Sequence, residues 1–274
     1  MKVIKSNGEV EEFKAEKLIN SLIRVGASTD EAFEIANIIE NNIKDLTPTR
    51  KIYRLAKELL RRMEHTYAMR YSLKKAMMRL GPSGYPFEKF FAKVMQAYGY
   101  KTQTNIVEKG FCINHEIDIL AFKQNKVVSV ECKYHSTSTR ASDAKVAMYV
   151  LSRFRDLENT LKTKYKKERF EGWLVTNTRL TVDAKRFAHC YNFKVISWRY
   201  PEDGGLEKMI ETKKLYPITV LIGIKINLLK KLLDNGIVLV QDFLLTDDSL
   251  LFRMGFSTKK IKELKRQAYA LTPT

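Results

Sequence analysis

Two carboxylates and one lysine are the residues of this chain best placed to do chemistry. In the stretch INHEIDILAFKQNKVVSVECK, which runs to Lys133, Asp118 is followed across a polar break by Glu131-Cys132-Lys133. The second arm alternates: Val128, Val130 and Cys132 fall on one face, and Ser129, Glu131 and Lys133 on the other. In the first arm Ile117 and Ile119 are expected on one face, with Glu116, Asp118 and Leu120 opposite. A turn at Gln124-Asn125 would make the two arms a hairpin and set Asp118 directly across from Glu131. Like charges so placed repel at a Cβ separation of roughly 5 Å. A hard divalent cation, Mg²⁺ or Mn²⁺, would offset that repulsion, because such ions take carboxylate and phosphate oxygens. Lys133 would then steady an attacking water or the charge building on phosphorus. By itself the trio fits equally an exposed hairpin in which a lysine neutralises two surface acids. His115 and His135 flank the trio and could assist a proton transfer.

The elements around the trio decide between these readings. Upstream, GYPFEKFFAKVMQAYGY predicts a helix with Phe87, Phe90, Phe91, Val94 and Met95 on one face and Glu88 near its start. Downstream, EGWLVTNTRLTVDAKRFAHCYNFKVISW predicts strand, helix, strand. With these flanks, Asp118 and Glu131-Cys132-Lys133 resemble the PD-(D/E)XK nucleases, and in particular the Mrr-type restriction endonucleases. The resemblance implies a central mixed sheet flanked by helices. It also implies a metal held by Asp118, Glu131 and the backbone carbonyl of Cys132, a catalytic role for Lys133, and an acidic residue of the first helix, Glu88, reaching the site. The glutamine that often follows on the next helix has no obvious counterpart in RASDAKVAMYVLSRF.

The front of the chain has a different texture. VIKSNGEVEEF predicts a hairpin turning at Asn7-Gly8, with both turn residues at positive φ. Helices are predicted over 15–25, 29–42, 49–63 and 67–80, and the last ends at Gly81-Pro82. VIKSNGEVEEFKAEKL ahead of a helical bundle resembles the ATP-cone, a nucleotide-binding regulatory module. That resemblance places Lys5, Lys17, Thr49 and Lys51 near phosphates and Glu11 or Glu12 near the base or ribose. No Walker-type glycine loop is present, so hydrolysis of ATP by a P-loop is not expected.

After the linker-like WRYPEDGG, two similar phrases each carry an apolar-Gly-apolar turn, Ile222-Gly223-Ile224 and Met254-Gly255-Phe256, followed by a basic helix. They resemble a helix-hairpin-helix pair, in which backbone N–H groups at a helix N-terminus meet a DNA phosphate. Lys259, Lys260, Lys262, Lys265 and Arg266 would add counterion release. A small packing or dimerisation domain is the alternative.

The expected architecture is therefore α/β in three parts: an ATP-cone-like domain over 1–82, a nuclease domain over 83–211 and a helical DNA-binding domain over 212–274. The formal net charge of +18 favours a polyanionic partner, DNA. Arg153, Arg155, Lys162, Lys164, Lys166 and Lys167, with the STSTR segment ending at Arg140, could track a duplex. No apolar run approaches the roughly 20 residues of a membrane helix, so no membrane partner is expected. The start lacks a signal-peptide core, and three cysteines without zinc-like spacing suit a reducing cytoplasm. The function expected is Mg²⁺-dependent DNA cleavage under nucleotide control, by a homodimer if both strands are cut. The alternatives are a non-catalytic ATP-sensing DNA-binding regulator and a DNA junction resolvase.

Overall fold

The computed structural model of the protein describes residues 1–272; the last two positions of the expected C-terminal domain lie outside the described residues. The front begins with β1 (Lys2–Ile4) and β2 (Val10–Glu12), antiparallel, with β3 (Thr47–Pro48) parallel to β1 on its other side. The hairpin loop differs from expectation. The Gly8 amide donates to the Lys5 carbonyl and the Lys5 amide to that of Glu9, so the loop is Ser6-Asn7-Gly8 and only Gly8, at φ +86°, is left-handed. The chain closes a turn before the glycine and uses the glycine to recover the strand register.

Helices α1 (Ala15–Arg24), α2 (Thr29–Asn42) and α3 (Thr49–Met63) bury Leu22, Ile35, Ile39, Ala56 and Leu60 against Val3. Helix α2 has the predicted bounds, and Ser28 caps it, in a reciprocal capping box with Glu31. The fourth predicted helix is two, α4 (His65–Tyr71) and α5 (Leu73–Met77), broken at Ser72, whose hydroxyl donates back to the Ala68 carbonyl. The break redirects the chain. Ala68 still packs in the first core, whereas Met69, Leu73, Ala76, Met77 and Leu80 enter the main core shared with the rest of the protein.

That main core lies beneath a five-stranded mixed sheet. Strands β4 (Lys101–Lys109), β5 (Asn114–Lys123) and β6 (Lys126–Lys133) form an antiparallel meander. Beyond the two-residue β7 (Ala141–Ser142), β8 (Arg169–Thr176) lies parallel to β6. After β9 (Arg179–Leu180), β10 (Lys194–Ile196) lies parallel to β8, giving the order β10-β8-β6-β5-β4. Helix α6 (Tyr85–Ala97) covers one face with Phe87, Phe90, Phe91, Val94 and Met95, packed on Ile119, Val128 and Val130. On the other face α7 (Ala144–Tyr165) and α8 (Val182–Cys190) pack on Leu174, Val195, Leu120 and Val127.

The C-terminal part comprises α9 (Leu206–Lys213), a 3₁₀ turn at Ile218–Val220, α10 (Ile226–Asp234), α11 (Val240–Leu245), α12 (Asp248–Met254) and α13 (Thr258–Leu271). Gly223 and Gly255 take φ of +85° and +101°, as the two turn phrases require. The buried Thr219 hydroxyl donates to the Ala76 carbonyl over 2.7 Å, tying this part to α5. Among the described residues no helix is long and apolar enough to cross a membrane.

Candidate active site

The β5–β6 pairing decides where the carboxylates go. Lys123 pairs with Lys126 around Gln124-Asn125, and the register runs on to Ile119 opposite Val130. One step further Asp118 stands opposite Glu131, as the alternation predicted. There the ladder ends, and the Asp118 carboxylate takes over from it: Oδ2 accepts the Cys132 N–H at 2.6 Å. The expectation that Ile117 and Ile119 share a face does not hold. Ile119 lies in the main core and Ile117 in the cluster beneath α7 with Leu120. Asn105, next to this point on β4, has φ +51° and is skipped in the β4–β5 pairing. The β4–β5 pairing is thus interrupted at Asp118, where β5 switches the face that its residues bury, and the Asp118 side chain meets the end of β6.

Glu131 is buried, and its Oε1 accepts from Lys133 Nζ at 2.6 Å. Its Oε2 lies 3.5 Å from the Arg153 guanidinium, which also donates to the Glu116 carbonyl. Glu88 enters from the first turn of α6. Burial, then the charges of Asp118, Glu116 and Glu131, push its carboxyl up to about 7. Asp118 is pushed up to about 6 by burial and by Glu131, against the Cys132 N–H, Lys133 and Arg153. The Cys132 thiol lies in the main core, and burial holds its pKa well above the usual thiol range, so this residue offers the site only its backbone.

Sequence reasoning missed Glu116 and Arg153 as members of this group. Arg153 had a visible signal: Val150, Arg153 and Leu157 are spaced i, i+3, i+7, which places the arginine beside the buried stripe of α7. The histidines are engaged elsewhere. His115 Nε2 meets Asp156 Oδ2 at 2.7 Å, and Asp156 also accepts from the amides of Cys112 and Ile113. His115 thus anchors the β4–β5 loop and does not face the carboxylates. The His135 backbone exchanges two hydrogen bonds with the Asn177 side chain, and its ring lies 3.2 Å from Ser142 Oγ.

Several cations expected along a duplex also have local partners: Lys162 with Glu158, Lys164 with Glu108, and Lys167 with the Gln124 carbonyl. On α13, Lys260 pairs with Glu263 and Lys265 with Asp248, whereas Lys259, Lys262 and Arg266 are exposed.

The donors suit a hard divalent cation. They are carboxylate oxygens with a neighbouring backbone carbonyl, and the upward shifts of Glu88 and Asp118 express the want of positive charge among them. Among the described residues no three His, Cys, Asp or Glu side chains stand together as a ready metal cage. Glu131 is instead drawn to Lys133.

In the front part Lys5 Nζ lies 3.0 Å and Lys17 Nζ 3.5 Å from Glu11 Oε2. Ile4 pairs with Pro48, which brings the end of β1 to the N-terminus of α3, where no side chain caps the helix. Thr49 and Lys51 occupy that first turn. Glu12 pairs with Lys2, at the far end of the strand.

Fold and site define a restriction-endonuclease-like domain joined to a second module, and the comparisons agree. Residues 81–202 match the restriction endonuclease family of the Mrr catalytic type, residues 1–77 the ATP cone domain, and residues 216–272 the AF1548-like C-terminal domain. The chain therefore carries a restriction endonuclease domain of the Mrr type over 81–202, with an ATP cone at its front. An uncharacterized protein of Archaeoglobus fulgidus is 34% identical over 177 residues, 65% of this chain and 97% of that protein. The crystal structure of a protein of unknown function, AF1548, is similar with a TM-score of 0.58 at 32% identity, over 70% of this chain and all of that one.

Proposed function

We propose that the protein is a metal-dependent DNA endonuclease whose activity is governed by a nucleotide bound to its ATP cone. The observation that carries this reading is the meeting of Asp118, Glu131 and Lys133 at the end of the β5–β6 ladder, with Glu88 reaching in from α6. Asp118, Glu131 and the Cys132 carbonyl would hold Mg²⁺ or Mn²⁺. What such a cation supplies when bound is positive charge beside the scissile phosphate and a more acidic water.

The chain's own groups do the rest. Lys133, released from Glu131 once that carboxylate is otherwise engaged, turns its ammonium to the water or to the phosphoryl oxygens. Arg153 holds Glu131 in place from α7. Glu88, protonated over part of the neutral range, can give or take a proton at the edge of the site. Lys5, Lys17, Thr49 and Lys51 would receive the phosphates of a nucleotide, with the ammonium groups of Lys5 and Lys17 exchanging Glu11 for phosphate oxygens. Lys259, Lys262 and Arg266 would meet DNA phosphates, and a homodimer would present two sites to two strands.

The test is cleavage of an end-labelled linear duplex and a four-way junction with Mg²⁺. Cutting of the duplex supports the restriction-type reading, and cutting confined to the junction reassigns the substrate to branched DNA. Binding without cutting of either, by wild type and by Glu131→Ala alike, leaves a DNA-binding regulator.

A further inference from the structure

A cluster of cations on the ATP cone stands close together without an acidic partner. On α3, Arg54, Lys57 and Arg61 stand at i, i+3 and i+7, along one stripe about 10 Å long. Facing them are Lys75 on α5 and Arg79 just beyond it. Among the described residues no carboxylate forms an ion pair with any of the five; nearby Glu58 is taken by Arg62 at 2.9 Å. Arg54, Arg61, Lys75 and Arg79 are exposed, and Lys57 is half-buried between the rows. Arg54, Lys57, Arg61 and Arg62, with Glu58 as the one acidic member, line an open groove of about 330 Å³. Burial, then Lys75, Arg79 and Arg61, lower the pKa of Lys57. Tyr53 of α3 stacks on Tyr71, the last residue of α4, with ring centroids 5.1 Å apart, and its hydroxyl donates to Ser72 Oγ at the start of α5. The arrangement keeps like charges together at a cost; the Arg79 guanidinium donates to the Thr219 carbonyl at 3.4 Å, and no carboxylate among the described residues offsets the cluster.

We propose that this face of the ATP cone is a second DNA-contacting surface, gripping the phosphate backbone of the same DNA that lies at the nuclease site. The proposal rests on the DNA reading above and adds a surface to it. Two rows of cations on separate helices fit a chain of phosphates; a single nucleotide would draw its ligands around one point. The rows also lead toward the site. Met78, between Lys75 and Arg79, touches the Asn177 side chain that holds His135. Lys74, on the next face of α5, lies near Arg199 and Arg179, and Arg179 donates to the Thr139 carbonyl in the loop after Lys133. DNA on these rows and at Lys133 would bridge the cone and the nuclease, so nucleotide-driven movement of α3 would be felt by the bound substrate.

The test is fluorescence anisotropy of a short duplex over a salt series, with chelator present so that no strand is cut. The pair Arg61→Gln and Lys75→Gln, exposed positions on different helices, should reduce the slope of log K against log[salt] by about 1.8 and weaken binding about tenfold or more near 0.1 M salt. Arg61→Lys with Lys75→Arg should keep both slope and affinity. ATP binding by calorimetry and the melting curve should match wild type in each variant, and Arg54→Gln with Arg79→Gln should reproduce the loss. Wild-type slope and affinity in both glutamine pairs would overturn the surface while leaving the DNA reading standing. Failure of the wild type to bind any duplex would overturn both.

Discussion

At the residue scale the site is a set of carboxylates held together with too little positive charge. Asp118 ionises near 3.9 in an unfolded chain and at about 6 in the fold. The folded state therefore holds the extra proton between those values, and stability falls as pH rises from about 4 to about 6. Glu88 extends the same loss to about 7. Asp118→Asn keeps an oxygen for the Cys132 N–H and removes the charge. In chelator it should be more stable than wild type by about 1–2 kcal/mol near neutral pH, with no difference near pH 4, as read by urea denaturation. Mg²⁺ should raise the melting temperature of the wild type and leave that of Asp118→Asn unchanged. A wild type whose metal-free stability is flat between about pH 4 and pH 7 would contradict the crowding. Asp156 has the opposite sign. His115, with the amides of Cys112 and Ile113, holds its carboxyl down to about 2. Its contribution is present above about pH 4 and lost as pH falls toward 2. Asp156→Asn should lower the melting temperature near neutral pH and shrink the acid-induced loss of structure.

At the element scale the sheet positions the site, and much of it was legible. Alternation along Lys126–Lys133 and a turn at Gln124-Asn125 were enough to set Asp118 across from Glu131, because a two-residue turn fixes register. The switch of face that parts Ile117 from Ile119 was not legible, since it depends on Asn105 of the neighbouring strand adopting a left-handed backbone. Nor was the break at Ser72: Tyr67 to Leu80 has an unbroken helical pattern, and only packing against Thr219, far along the chain, turns α5 into the main core. By sequence Arg153 stands among basic residues that could track a duplex; the buried stripe beside it and its contact with Glu131 put it at the carboxylates instead. Close packing between α7 and β8 offers a direct check. A methyl group on Gly172 would fall 2.1 Å from a ring carbon of Phe154, beside an open groove that both residues help to line. Gly172→Ala should cost about 1–3 kcal/mol in denaturant unfolding, and Gly172→Ala with Phe154→Leu should recover part of it.

At the scale of the whole molecule, helices α4 and α5 join the three parts. Arg24 of α1 also reaches Glu207 of α9 at 3.6 Å, beside Arg199. Thr219→Val would remove one of the bonds to the Ala76 carbonyl, which keeps the Arg79 N–H at 2.9 Å, and should cost about 0.5–1.5 kcal/mol, with the nuclease and C-terminal parts still unfolding in one transition by calorimetry. At the proposed nucleotide site Lys5 and Lys17 are paired with Glu11, so a bound nucleotide would have to displace that carboxylate. Lys17→Ala should weaken ATP binding in calorimetric titration without changing DNA affinity in the absence of ATP. The three-part order was legible because each part opens on its own local signature, whereas the shared core that merges them was not, being built from contacts remote in sequence.

The central claim is that Asp118, Glu131 and Lys133 form a metal-dependent nuclease site. Conversion of supercoiled plasmid to nicked or linear form by the purified protein tests it most directly, with Mg²⁺ or chelator and beside Glu131→Ala and Lys133→Met. Cleavage that requires the metal and falls by about a hundredfold or more in both variants is the predicted result. Cleavage that survives the loss of Glu131, or a wild type that binds the plasmid with Mg²⁺ and never cuts it, would contradict the account.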